Sequence, residues 1–203
     1  IDLKRIESEL LTKIASSDSI QSGLAANANI WLALADASGA AILHDDAVLT
    51  VGVTPSAARL RMLTEKLQAQ GTESFATDSL ALEWPDFADL SEVASGVLAI
   101  SISQLHPSYI FWFRPEVQRT VLWAGDPRKP TETVHDRLHP RLSFASWKEQ
   151  VKNRALPWSQ AEIDGALDFR NAIINFVLRR AEERAELTSQ LQRSNKEDRK
   201  SVV

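Results

Sequence analysis

The sequence predicts an α+β domain: an antiparallel sheet of about five or six strands, framed by a helix at each end. Three observations predict it. Strand-like runs follow one another with few crossover helices between them. Both ends of the chain carry apolar residues at helical spacing. No glycine-rich phosphate loop follows a strand, which argues against the nucleotide-binding α/β folds.

In the first element, "IDLKRIESELLTKIA", Leu3, Ile6, Leu10 and Ile14 recur at helical spacing with charges between them. An opening amphipathic helix over 1–16 follows. Residues 27–36, "NANIWLALAD", form a continuous apolar run ending in a turn at Ala37-Ser38-Gly39. The run reads as a buried strand, with Ala40 to Leu43 as its hairpin partner and Ala47 to Val51 as a third strand. Thr54-Pro55 reads as an N-cap followed by proline at the first helical position. Leu60, Leu63 and Leu67 then share one helix face, and Gly71 stops the helix.

The second half changes period. In "SGVLAISIS", Leu98, Ile100 and Ile102 alternate with small residues, the pattern of a half-buried strand. "SYIFWFR" (108–114) and "RTVLWAG" (119–125) are also strand-like, rich in aromatic and β-branched residues. A short helix is expected within 143–152. From Ser159 the chain reads as helical to about Lys196, opened by a capping box of Ser159 and Glu162. Ile173, Arg180 and Leu187 recur every seventh residue, with Phe169 and Phe176 nearby, a seam suited to the domain's own sheet and then a partner helix.

Composition bounds the function. The chain of 203 residues is 44% apolar, enough for a core, and carries a mild net charge of -4. That charge makes no global case for nucleic acid or an anionic membrane. There is no cysteine, hence no disulfide, thiolate metal site or thiol nucleophile, and no cofactor bonded through a cysteine of this chain. No apolar run approaches the roughly 20 residues that cross a bilayer. The start, Ile1-Asp2-Leu3-Lys4-Arg5, has neither an initiator Met nor a signal-peptide pattern, so a cytoplasmic piece of a longer chain is expected.

About 45 residues separate the strand ending at Phe113 from the helix near Ser159, and segments of that length are usually functional or disordered. Disorder suits this one poorly, since it holds Trp123, Phe144, Trp147 and Trp158. From Arg114 to Pro157 stand nine Lys/Arg and five Asp/Glu, a net +4, which leaves -8 on the remainder of a chain of net -4. A basic arm on an acidic body fits docking on something acidic, although ordinary solvated arginines would give the same count.

Within this arm, "FRPE" (113–116), "WAGDPRKP" (123–130), "PRLSF" (140–144), "SWKEQV" (146–151) and "LPWS" (156–159) resemble the PHY domain of phytochromes, specifically bacterial phytochromes. The resemblance covers essentially the whole chain and is densest from Val97 to about Arg180. It implies a GAF-related fold over 27–113, a tongue insertion over 114–157, and a core and signalling helix over 158–198. The tongue is expected to reach a neighbouring GAF domain of the same chain and to seal a pocket holding a linear tetrapyrrole, biliverdin in a bacterial relative. The resemblance gives Arg141 the partner carboxylate, and places Pro140, Ser143, Phe144, Trp123 and Gly125 at the interdomain contact. It implies refolding of the tongue from hairpin to helix on photoconversion. It also implies a relay through the last helix to a C-terminal output module, most often a histidine kinase, in a homodimer. Leu156 departs from the pattern, where Arg is expected.

The residue chemistry agrees with these roles. Arginine offers a planar fork that grips a carboxylate with two hydrogen bonds. Pro127, Pro130 and Pro140 disfavour helix at the residues before them, so a helical form belongs after Pro140, with Ser143 as its N-cap. No enzyme chemistry is expected of this segment itself. His135 and His139 stand four apart, but Pro140 works against the helix that would align them, and no third metal ligand lies near. His44-Asp45-Asp46 reads as a turn. The strand aromatics Tyr109, Phe111, Trp112 and Phe113 suit a core or the lining of a ligand pocket. The alternative function is therefore a GAF-like domain that binds its own small ligand.

Overall fold

The computed structural model describes residues 2–44, 46–103, 106–117 and 140–201, with the backbone alone over 140–144. Three helices open the chain: α1 (Leu3–Ala15), α2 (Ile20–Ala26) and α3 (Ala28–Ala33). A hairpin of β1 (Gly39–His44) and β2 (Ala47–Gly52) follows, then α4 (Ala57–Ala69) and β3 (Ser74–Thr77). Short turns of helix come next: α5 (Leu80–Glu83), a 3-10 turn (Pro85–Leu90) and α6 (Ser91–Ala94). The central strands β4 (Gly96–Ser103) and β5 (Ser108–Arg114) complete the sheet. Past the excursion lie α7 (Pro140–Val151) and α8 (Gln160–Ser201). The sheet is five-stranded, in the order β2-β1-β5-β4-β3, and every pairing is antiparallel.

Both faces of the sheet are filled. Ala40, Ile42, Leu98, Ile100, Ile110 and Trp112 pack on one face with Leu10, Ile14, Leu24, Trp31, Phe169 and Ile173 from α1, α2, α3 and α8. Ala41, Leu43, Val97, Ala99, Tyr109, Phe111 and Phe113 pack on the other with Leu60, Leu63, Leu67, Leu80, Trp84 and Phe87. The period of two along each strand divides these sets. The aromatic residues of β5 are thus core, Trp112 on one side and Tyr109, Phe111 and Phe113 on the other.

Several elements differ from the sequence expectation. The run 27–36 is α3 and not a strand, so β1 pairs with β2 across 45–46 in place of an upstream partner. Leu24, Trp31, Leu34 and Ala35 lie inward at intervals of about three to four or seven residues, and the run is alanine-rich, which favours helix. The N-cap of α4 is Ser56, whose hydroxyl accepts from the Arg59 amide at 3.3 Å, so the helix starts two residues beyond Pro55. β4 is buried through Ile100 on both faces, because helices cover each side. Its alternation records large and small core residues, not core and solvent. The strand predicted at 119–125 and the pair His135 and His139 lie outside the described residues. The capping box holds as read: the Ser159 amide donates to Glu162 Oε1 at 2.8 Å and the Glu162 amide to Ser159 Oγ at 3.1 Å.

α1 and the start of α8 run side by side in the same direction. Lys4 meets Asp168 at 2.9 Å, and Leu11, Ile14 and Ala15 line one cleft with Ala172, Ile173 and Phe176. Further along, Arg180 donates to the Ser17 and Asp18 carbonyls at 2.9 and 3.0 Å. The Lys4–Asp168 pair is exposed; its hydrogen bond and the Asp168 charge raise the Lys4 ammonium above its ordinary value, yet water screens most of the attraction. Past Arg180 the described side chains of α8 are exposed, Leu187 and Leu191 included.

Candidate functional site

The site grows from the end of β5. "SYIFWFR" is strand because its aromatic and β-branched residues fill two core faces, and the last of them sets Arg114 at the sheet's rim. Pro115 ends the ladder by removing a donor. The outgoing chain, 114–117, then lies against the returning chain, 153–158. Val117 donates its amide to the Arg154 carbonyl at 2.7 Å, and the Asn153 amide donates to Glu116 Oε2 at 3.1 Å. The Ala155 amide donates to Asp78 at 2.7 Å, and Trp158 Nε1 to Thr77 at 3.0 Å. These bonds make a neck, where the chain entering the insertion at 114–117 and the chain leaving it at 153–158 are held together.

Arg114 holds the neck. It is only 6% exposed, and each of its five N–H hydrogens has an acceptor. Nε donates to the Asp36 carbonyl at 3.1 Å. One terminal nitrogen donates to the Leu156 and Pro157 carbonyls at 3.2 and 2.8 Å. The other donates to the Ala35 carbonyl at 2.8 Å and to Glu162 Oε2 at 2.5 Å. The guanidinium also lies 4.0 Å over the Trp158 ring. Sheet, α3–β1 turn, returning neck and first turn of α8 meet at this one planar cation.

Arg114 was counted among the cations of the basic arm, but its charge is spent inside on Glu162 and is not offered to a partner. The signal that marks it is a strand-terminal Arg after a run of core aromatics, with a capping Glu a few residues past a Trp. Leu156, which stands where the resemblance leads one to expect Arg, is half-exposed, and its carbonyl serves Arg114 instead.

The close approach at the neck constrains one residue of β4. A Cβ on Gly96 would stand 2.8 Å from the Ala155 Cβ and 3.1 Å from the Arg114 Cβ, both fixed by short side chains or backbone. Gly96→Ala is therefore expected to cost about 1–3 kcal/mol, measured as a lower midpoint in urea unfolding.

Of the residues expected at the interdomain contact, Pro140, Arg141, Ser143 and Phe144 fall at the start of α7, and Trp123 and Gly125 lie outside the described residues. α7 begins at Pro140, three residues before the N-cap predicted at Ser143. Proline is well suited to the first turn, where its missing N–H costs nothing; its steric veto falls on the preceding residue. The helix ends before Asn153, which takes φ 59°, a left-handed geometry that Asn tolerates, and Glu116 secures its amide. Among the described residues no group of three or more His, Asp or Glu is arranged to hold a metal ion, and no helix is long and apolar enough to cross a membrane.

A two-sided antiparallel sheet, helices at both chain ends and a long insertion pinned at its neck define a sensory-type α+β domain. The sequence profile of the phytochrome region, PHY, matches residues 3–182. The chain belongs to the PHY family. It is 42% identical over 97% of its length to cyanobacterial phytochrome B of Nostoc sp., of which it covers 27%. It is 38% identical over 96% of its length to the phytochrome-like protein Cph1 of Synechocystis sp., of which it covers 26%. The chain thus spans about a quarter of the length of these curated relatives. The fold matches the crystal structure of a bacteriophytochrome from the photosynthetic bacterium R. palustris with a TM-score of 0.66 and 27% identity, covering 88% of this chain and 36% of that one.

Proposed function

We propose that this PHY domain is the regulatory module of a light-sensing protein, and that its excursion, 114–157, is a tongue laid over the pigment pocket of an adjacent GAF domain in the same chain. The observation that carries the reading is the neck: the insertion leaves and returns through one hydrogen-bonded junction. A segment of this length that leaves and returns at one place suits the closing of a pocket outside its own domain, and the core behind the neck is already filled on both faces of the sheet. That packing disfavours the alternative of a small ligand held between sheet and helices.

In this reading the pigment is a bilin, biliverdin in a bacterial parent, bound by the neighbour. It supplies light absorption; the tongue excludes water and positions charge. Arg141 grips a carboxylate of the pigment domain with its fork, supported by Pro140, Ser143, Phe144, Trp123 and Gly125. Excluded from water, that pair is costly to break, at about 3–5 kcal/mol when one partner is removed, whereas an exposed pair is worth about 1 kcal/mol or less. α8 carries the change to a C-terminal output module, of which a histidine kinase is the favoured type. The exposed Leu187 and Leu191 on the far part of α8 suit a homodimer of the parent. The setting is cytoplasmic.

The test is Arg141→Ala in the full-length, pigment-loaded parent. The far-red-absorbing state is expected to be less stable and dark reversion altered, followed by absorbance after a light pulse. An unchanged photocycle would remove Arg141 from this role.

A further inference from the structure

We infer that Arg114 and Glu162 form the joint through which movement of the excursion reaches α8; the inference rests on the light-sensing reading above. Arg141 lies out on the arm, whereas the arm's mechanical connection to the last helix is at its root. Only Trp158 and Ser159 separate Pro157 from Gln160, the first residue of α8. Arg114 spans this short connection from outside, with one terminal nitrogen on the Leu156 and Pro157 carbonyls and the other on Glu162 in the first turn of α8. The same carboxylate receives the Ser159 amide, so helix start and guanidinium share one acceptor group.

Saturation makes the joint responsive. With five donors on five acceptors, no spare partner is available within the group. If residues 152–158 shift as the arm changes shape, Nη1 loses both carbonyls at once. Buried cationic donors left unmet are costly, so the fork must turn to follow them. Turning moves the nitrogen that holds Glu162 and therefore the first turn of α8. The Asp36 and Ala35 carbonyls at the rim of the sheet supply the fixed side of the pivot. Trp158, stacked on the guanidinium at 4.0 Å and tied by its indole to Thr77, keeps the plane of that rotation.

Two substitutions in the full-length, pigment-loaded parent separate a joint from a staple. Glu162→Gln keeps the size and the capping geometry but removes the charge; Arg114→Lys keeps the charge but has three donors and no planar fork. The readouts are the photoproduct spectrum and yield, and amide hydrogen exchange of peptides from α8 in the dark and after illumination. We expect both variants to form the photoproduct with the same absorbance maximum and yield, while the light-dependent change in exchange along α8 falls about fivefold. A full α8 response in both variants would overturn the joint, as would loss of photoproduct and response together, the mark of a general staple. Absence of any light response in the unsubstituted parent would instead remove the light-sensing reading itself.

Discussion

Arg114→Ala is expected to lower the unfolding free energy of this domain by about 3–5 kcal/mol, the cost of breaking a buried ion pair by removing one partner. The reason is what stays behind. Glu162, whose side chain is 12% exposed, keeps its charge without its counter-ion, and the carbonyls of Ala35, Asp36, Leu156 and Pro157 lose their donor. Trp158 loses the cation on its ring. A loss of that size is a large fraction of the stability of a typical domain, and corresponds to a fall in Tm of about 10 °C or more. Adding Glu162→Ala on the Arg114→Ala background should cost much less than it does alone, with a coupling energy of about 1–3 kcal/mol in a double-mutant cycle. Independent, additive effects would show that the pair is not the unit described.

The second large effect is expected of Trp112→Ala, at about 3–5 kcal/mol. Trp112 is fully buried and joins three layers: its ring meets Phe169 of α8 edge-on at 6.2 Å, and its indole N–H donates to the Trp31 carbonyl of α3 at 3.1 Å. Truncation opens a cavity against α8, so amide protection should fall first in residues 166–176. Trp112→Phe restores most of the volume but leaves the Trp31 carbonyl unmet, and about 1–2 kcal/mol of the loss should remain. Equal losses for Ala and Phe would mean that the hydrogen bond, and not packing, dominates.

The sequence was most legible where one residue pattern had one physical solution. Leu10 and Ile14 at helical spacing, the aromatic and β-branched run of β5, and Ser159 with Glu162 each allow little else. The run 27–36 reads equally as buried strand or buried helix, because its central stretch Ile30 to Ala35 is apolar throughout and has no polar face to reveal its period. The start of α7 lies three residues before the expected N-cap because Ser143 is a good capping residue by type, while Pro140 itself fits the first turn of a helix. For the neck, the motifs located the arm, but Arg114 looked like any other cation on it. Its burial depends on Ala35, Asp36 and Glu162, far apart in the chain, and the local clue, a strand-terminal Arg after core aromatics, does not name those partners. The short helices between Leu80 and Ala94 lack a local signature, being set by packing of Leu80, Trp84 and Phe87 on the sheet.

The side-by-side course of α1 and α8 has a geometric result. Since the two helices point the same way, the chain runs along α8 in the direction in which it ran along α1. The 42 residues of α8 extend about 63 Å, and the described side chains past Arg180 are exposed. Each residue inserted there would turn the end of the helix by about 100° and advance it by about 1.5 Å, leaving the core untouched.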